Sequence, residues 1–172
     1  MLVALIFVVF PFCMLFAAVS DMLSMTIANR VSVVLAVTFL TVAPLTGMAW
    51  TAYGLHLAAG LVVLCVTFGL FAIGGMGGGD AKLLAATSIW MGFSMTLLQY
   101  LVFASVIGGV LTLAILAFRK SPLALLAGNN VFLRHFANEK VGVPYGIALG
   151  LGGLFVFAES PLALWALARL SG

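Results

Sequence analysis

From Val31 to Gly79 no side chain carries a fixed charge, and residues 1–20 are equally free of charge. A backbone in such surroundings must satisfy its own N–H and C=O groups. In lipid that leaves helices or closed barrels. Runs of this length suit helices, since a membrane helix needs about 20 mostly apolar residues. Composition agrees: 65% of the chain is hydrophobic and 6% charged, with a mean hydropathy of +1.34. A soluble domain carries roughly a quarter charged residues. The chain therefore reads as an all-α polytopic membrane protein, and 172 residues hold about six spans with little left for a soluble domain. Residues 1–172 are taken as one membrane-embedded domain. The net charge of +3 has no cluster dense enough for nucleic-acid binding.

The first span occupies residues 1–20. No Lys or Arg precedes it and it is longer than the apolar core of a secretory signal, so it is expected to be retained. Ser20-Asp21 closes it, and residues 22–30 form a short loop with Ser24, Thr26, Asn29 and Arg30. A second span runs from 31 to 44 or 45, followed by an aromatic-tinged return through Trp50 and Tyr53, residues suited to a membrane interface. The third span, 54–73, leads into Gly74-Gly75-Met76-Gly77-Gly78-Gly79-Asp80-Ala81-Lys82. A short fourth span covers 81–91, a long fifth 96–118, and a sixth starts at Pro144-Tyr145-Gly146 and continues to 158, with Pro161 as a kink or a stop. Residues 121–143 are the one sizeable segment outside the membrane, with a short amphipathic interfacial helix expected there.

Charge placement orients this map. Arg30, Lys82, Arg119, Lys120, Arg134 and Lys140 all fall in odd-numbered loops, six of the seven Lys and Arg residues; Arg169 is the exception. Cytoplasmic loops carry the excess of Lys and Arg, so the odd loops are expected in the cytoplasm and the N-terminus outside. The only two aspartates, Asp21 and Asp80, then lie at cytoplasmic span ends and at similar depth.

A carboxylate at a membrane boundary is costly and points to function. Two that approach each other cannot both ionise easily. One proton is shared, leaving one group to activate water and the other to protonate a peptide carbonyl or leaving amine. Such chemistry needs neither a nucleophilic Ser or Cys nor a metal. The glycines fit it, because a stretch without side chains can lie close to a substrate backbone. They do not fit a phosphate loop, as no Gly-Lys-Ser/Thr follows, and Asp80 stands where a dinucleotide fingerprint needs its third glycine. A purely structural reading gives Asp80 as the N-cap of the fourth span, Asn29 as a cap or turn residue, and Lys82 as a topology signal. Cys13, Cys65, His56 and His135 stand alone, so no metal and no cofactor is assigned.

Gly77-Gly78-Gly79-Asp80, continuing into Ala81-Lys82-Leu83-Leu84, resembles the Gly-Xaa-Gly-Asp signature of the type IV prepilin peptidases, membrane aspartic proteases. Asp21 with Ile27-Ala28-Asn29 is similar to the family's other signature, with Ala28 where the family has proline. Val143-Pro144-Tyr145-Gly146-Ile147-Ala148 is similar to a closing motif of the small branch serving tight-adherence (Flp-type) pili. The resemblance implies Asp21 and Asp80 as the catalytic pair. Gly77, Gly78, Gly79, Lys82, Asn29, Pro144, Tyr145 and Gly146 would support them or bind substrate. It also implies cleavage of a short basic leader from a prepilin at the cytoplasmic face of the inner membrane. Larger members carry a cytoplasmic domain with Cys-Xaa-Xaa-Cys pairs and also N-methylate the product; residues 22–30 leave no room for one. Other functions open to such a chain are a small ion-coupled transporter, with the aspartates as ion sites, or a non-catalytic subunit of a pilus or secretion assembly.

Overall fold

The computed structural model describes residues 1–121 and 142–171. The interfacial helix expected around Arg134, His135 and Lys140 lies outside the described residues. Seven α-helices and no strand occur among the described residues: α1 Leu2–Ser24, α2 Asn29–Leu45, α3 Trp50–Ala72, α4 Gly78–Met91, α5 Met95–Arg119, α6 Tyr145–Phe157 and α7 Pro161–Ser171. Three of them, α1, α3 and α5, are long and apolar enough to cross a membrane, and α6 with α7 makes a fourth candidate, bent by 41°. The outward faces of α1, α3 and α5 expose Phe12, Phe16, Leu61, Phe68, Val110 and Leu113. Apolar surface on that scale suits lipid rather than water.

The short α4 is the hub. Ala81, Leu83, Leu84, Ala85, Ala86, Thr87, Ser88, Trp90 and Met91 are all buried, on every side of the helix, and it packs against α2, α3, α5, α6 and α7. Its fourteen residues rise about 21 Å, short of the roughly 30 Å hydrocarbon core. One end of the helix is locked by rings. Trp90 lies 5.0 Å from Phe10 and 6.0 Å from Phe39, and Phe10 stacks on Phe157 at 4.6 Å. The Trp90 indole N–H donates to the Leu35 carbonyl at 3.1 Å, which satisfies the one polar atom of the cluster. His56 pairs through Nδ1 with the Ile89 carbonyl at 2.7 Å. It is a structural histidine, consistent with its isolation in the sequence.

Helix boundaries differ from the sequence expectation at three places. The first loop is shorter than 22–30, because α1 continues to Ser24 and α2 starts at Asn29. Serine side chains close the corner: Ser20 Oγ donates to the Thr26 carbonyl at 2.9 Å, and Ser24 Oγ to the Ser20 carbonyl at 2.7 Å. The aromatic return is also tighter, since Trp50 and Tyr53 already belong to α3. Finally, α4 starts at Gly78, inside the glycine run, rather than at 81. Of the two alternatives for the last span, the helix stops before the proline: α6 ends at Phe157 and, after a 41° bend, α7 opens on Pro161. Its missing N–H costs nothing at a first helical position, and the buried Ser160 hydroxyl accepts from the Ala163 N–H at 3.4 Å.

Small residues set the close helix approaches, as expected in lipid. A Cβ at Gly150 would stand 2.6 Å from the Met14 carbonyl oxygen of α1, and one at Gly152 would stand 3.1 Å from the Ala104 backbone N of α5. At Gly109 it would meet nothing within 4 Å. Gly150→Ala should therefore destabilise the protein by about 1–3 kcal/mol through overpacking. Gly109→Ala should be neutral or stabilising by up to about 1 kcal/mol. Thermal unfolding of the two variants in detergent checks this, and equal unfolding midpoints would contradict the α1–α6 packing.

Candidate active site

Asp21 belongs to the inward stripe of α1. The buried residues Ile6, Phe10, Cys13, Met14, Ala17 and Asp21 recur at three- and four-residue spacing, so one helix face carries them all. The corresponding stripe of α4 includes Asp80, Leu83 and Thr87. The two stripes touch where Thr87 Oγ1 meets Met14 Sδ at 3.8 Å. From that contact Asp21 lies seven residues on along α1 (21 − 14), and Asp80 seven residues back along α4 (87 − 80). Since the helices run in opposite directions, both carboxylates sit about 10 Å beyond the contact, toward the same end of the bundle. They line the same two cavities.

Each carboxylate has a backbone partner. The Gly146 N–H donates to Asp21 Oδ2 at 2.6 Å, from the first turn of α6. Asp21 is 5% exposed, so this bond compensates a carboxylate with little access to solvent. A Cβ at Gly146 would lie 2.7 Å from Asp21 Cβ, and only glycine admits the approach. Tyr145 holds α6 in place: its ring packs on Gly108, and its hydroxyl lies 3.2 Å from Thr112 Oγ1 of α5. Pro144 is buried just ahead of it. Asp80 hydrogen-bonds the Gly77 backbone N–H.

The glycine run has three separate tasks. Gly74 takes φ +77 and ends α3; its N–H bonds the Phe71 carbonyl at 3.0 Å, and the Gly75 N–H bonds the Leu70 carbonyl at 2.8 Å. That double bond pattern is the Schellman stop, which favours glycine in the left-handed position. Gly77 caps α4 with an extended backbone, and a Cβ there would press within 2.7 Å of Asp80 Oδ2. Gly78 and Gly79 are already helical, where each costs about 1 kcal/mol relative to alanine. A Cβ at Gly79 would crowd Ile27 at 3.2 Å, so its absence lets the first turn of α4 lie against the α1–α2 corner. Asp80 is thus the third residue of α4, not its N-cap, and its carboxyl is left to face Asp21 and the cavities.

Lys82 and Asn29 stand slightly apart from the pair. Lys82 Nζ donates to Asn29 Oδ1 at 3.0 Å, tying α4 to the start of α2. Asn29 is the first residue of α2, and Ala28 takes the cap position. Neither side chain lines the cavities that hold the carboxylates; both border an apolar groove among α2, α3 and α4. Arg119 reaches the same end of the bundle, where Nη2 donates to the Gly142 carbonyl at 3.4 Å. Ile27 and Val143, present in the sequence motifs but not singled out there as site residues, also line the cavities beside the pair, and sequence reasoning missed Met25 and Gly142 altogether. No pattern in the sequence marks them, because their position follows from how the corners fold back. No group of three or more metal-ligating side chains occurs among the described residues.

Asp80 lies in the first turn of α4, at its loop end and outside the helices of membrane length. Burial, and then the Asp21 carboxylate, push it up from its ordinary 3.8 to about 6, while the Gly77 N–H pulls the other way. The folded value exceeds the unfolded one, so protonated Asp80 stabilises the fold fully below about pH 4, and this contribution is lost as pH rises through about 6. Infrared titration should find a protonated carboxyl that disappears near pH 6. Its midpoint should fall in Asp21→Asn, which removes the neighbouring charge. An unmoved midpoint would mean that the two carboxyls do not interact.

Comparison with known proteins gives a family match. The type IV leader peptidase family covers residues 8–113, a segment that contains both Asp21 and Asp80. No curated protein and no solved structure matches the chain. The matched segment is more than half of the 172 residues. The chain belongs to the type IV leader peptidase family, and it is a membrane-embedded protease acting on a protein substrate.

Proposed function

We propose that the protein is an aspartic endopeptidase that removes the leader of type IV prepilins, with Asp21 and Asp80 as its catalytic pair. The observation that carries this is the meeting of the two carboxylates, one from α1 and one from α4, on shared cavities at one end of the bundle. In the working state the pair holds one proton. The ionised carboxylate accepts a proton from water as its oxygen attacks the scissile carbonyl, and the protonated one donates to the carbonyl oxygen. The tetrahedral intermediate then collapses as one carboxyl of the pair gives its proton to the leaving amine and the other carboxylate takes the proton of a hydroxyl of the intermediate, which becomes the new carboxyl group. No covalent enzyme intermediate forms, and the pair regains its starting protonation after one turnover.

The glycines serve this chemistry by leaving space: Gly77 beside Asp80, Gly146 beside Asp21, and Gly78 and Gly79 where α4 meets the α1–α2 corner. Pro144 and Tyr145 support Gly146, and the Lys82–Asn29 bond braces α4 against α2. The substrate class follows from the family and from the motif at 143–148, which favours Flp-type prepilins. The end of the bundle that carries Asp21, Asp80, Lys82 and Arg119 faces the cytoplasm of an inner-membrane protein by the Lys and Arg distribution. Six spans then require α2 and α4 to count as spans despite their length. Residues 1–172 act as a single peptidase domain, and the short corner between α1 and α2 leaves no room for a methylating domain at that place.

Asp21→Asn and Asp80→Asn are close to isosteric and keep the fold. Each should reduce processing of a co-expressed prepilin by at least about a thousandfold while the protein still accumulates in the membrane. Lys82→Met should slow processing by less, on the order of tenfold, as a brace rather than a reacting group. Processing that survives both aspartate changes would rule out the aspartic mechanism.

A further inference from the structure

The pair stands at the junction of two cavities of about 280 and 460 Å³. The smaller is closed by Thr26, Ile27, Gly78 and Gly79, and the larger by Gly74, Gly75, Met76, Gly142, Val143 and Tyr145. Four residues are common to both: Asp21, Asp80, Gly77 and Met25. Gly77 has no side chain, so among the described residues Met25 supplies the one side chain other than the carboxylates that borders both spaces. An extended peptide presented to the carboxylates would place the residues before and after its scissile bond in the two cavities, with Met25 beside both.

The backbone of Met25 adds a second observation. It takes φ 52 and ψ 30, closing α1 with its N–H on the Asp21 carbonyl at 2.9 Å. Left-handed conformations favour glycine. The other positive-φ positions among the described residues are all glycine: Gly47, Gly74 and Gly92. Met25 alone departs from that, keeping a long side chain where the turn itself would be better served without one. Strained positions of this kind concentrate where a side chain is needed for function. Methionine is flexible and polarisable, so it can pack against apolar groups of different shape.

We infer that Met25 is a specificity-determining residue, whose side chain packs against the substrate residues flanking the scissile bond and ranks substrates by the size of those residues. The inference rests on the proposed aspartic peptidase site. It goes further by placing substrate on both sides of the pair and by naming the side chain that divides the two spaces.

The test uses the full chain in liposomes and a set of synthetic leader–pilin peptides in which one residue flanking the scissile bond is Gly, Ala, Leu or Phe. Met25→Gly removes the side chain without straining the turn. Met25→Asn, also tolerated in the left-handed region, replaces it with a short polar one. Both variants should unfold at or above the temperature of the wild type. Both should raise kcat/KM for the Phe peptide relative to the Ala peptide by about tenfold, whereas Met25→Leu should keep the wild-type order. A folded Met25→Gly protein with the wild-type order, within about twofold, would overturn the role of Met25 and leave the peptidase function standing. If the wild type cuts none of the peptides, the peptidase proposal fails and this inference fails with it.

Discussion

The structure depends on keeping a carboxylate inside an apolar bundle. Asp21 is buried on the inward stripe of α1, and the N–H of Gly146 compensates it from the first turn of α6. Much of the remaining architecture secures that contact. Tyr145 anchors α6 to α5 through Gly108 and Thr112, and Gly150 and Gly153 let α6 lie directly on Met14 of α1. A side chain at Gly146 would push the helices apart at the point where the polar contact is needed. The cost of an uncompensated buried carboxylate is several kcal/mol. The fit of α6 against α1 is therefore held in place by chemistry as well as by packing.

The second carboxylate arrives by a different route. Asp80 is carried by the short central helix, whose far end is fixed by Trp90, Phe10, Phe39 and Phe157 about 15 Å away. With that end fixed, the Thr87–Met14 contact sets the register, and equal distances along two opposed helices bring Asp80 level with Asp21. The glycine run makes the near end possible by stopping α3 at Gly74, clearing space for the Asp80 carboxyl at Gly77, and letting α4 touch Ile27 at Gly79. The pair is assembled from a rigid end and an open end. The cavities lie at the open end.

Much of this was legible in the sequence, for identifiable reasons. Long uncharged runs allow few architectures in lipid, so the helical class followed directly. Asp21 and Asp80 stood out because carboxylates are rare in such a chain, and the Gly-Xaa-Gly-Asp resemblance pointed to the family that the match over residues 8–113 establishes. Local detail was harder to read. Asp80 looked like a cap because a carboxylate after glycines and before an apolar run fits that position; in the structure Gly77 is the cap and α4 starts inside the glycine run. Asn29 looked like a cap or turn residue, yet it lies within α2 and meets Lys82 across the bundle, a pairing no local pattern encodes. Met25 carried no signal at all, since its left-handed backbone and its place beside both cavities follow from how the chain turns after α1. Spacing shows which residues share a helix face. It does not show which corner folds back over them.

The most direct test of the account is chemical: purified protein in liposomes, incubated with a prepilin in water enriched in oxygen-18 and followed by mass spectrometry of the released leader. Direct attack by water activated by the Asp21–Asp80 pair requires a single cut, one heavy oxygen in the new leader carboxylate, and no covalent adduct on the protein. With Asp80→Asn the substrate should remain intact. An undiminished rate with Asp80→Asn, or an acyl adduct on the wild-type chain, would contradict the account.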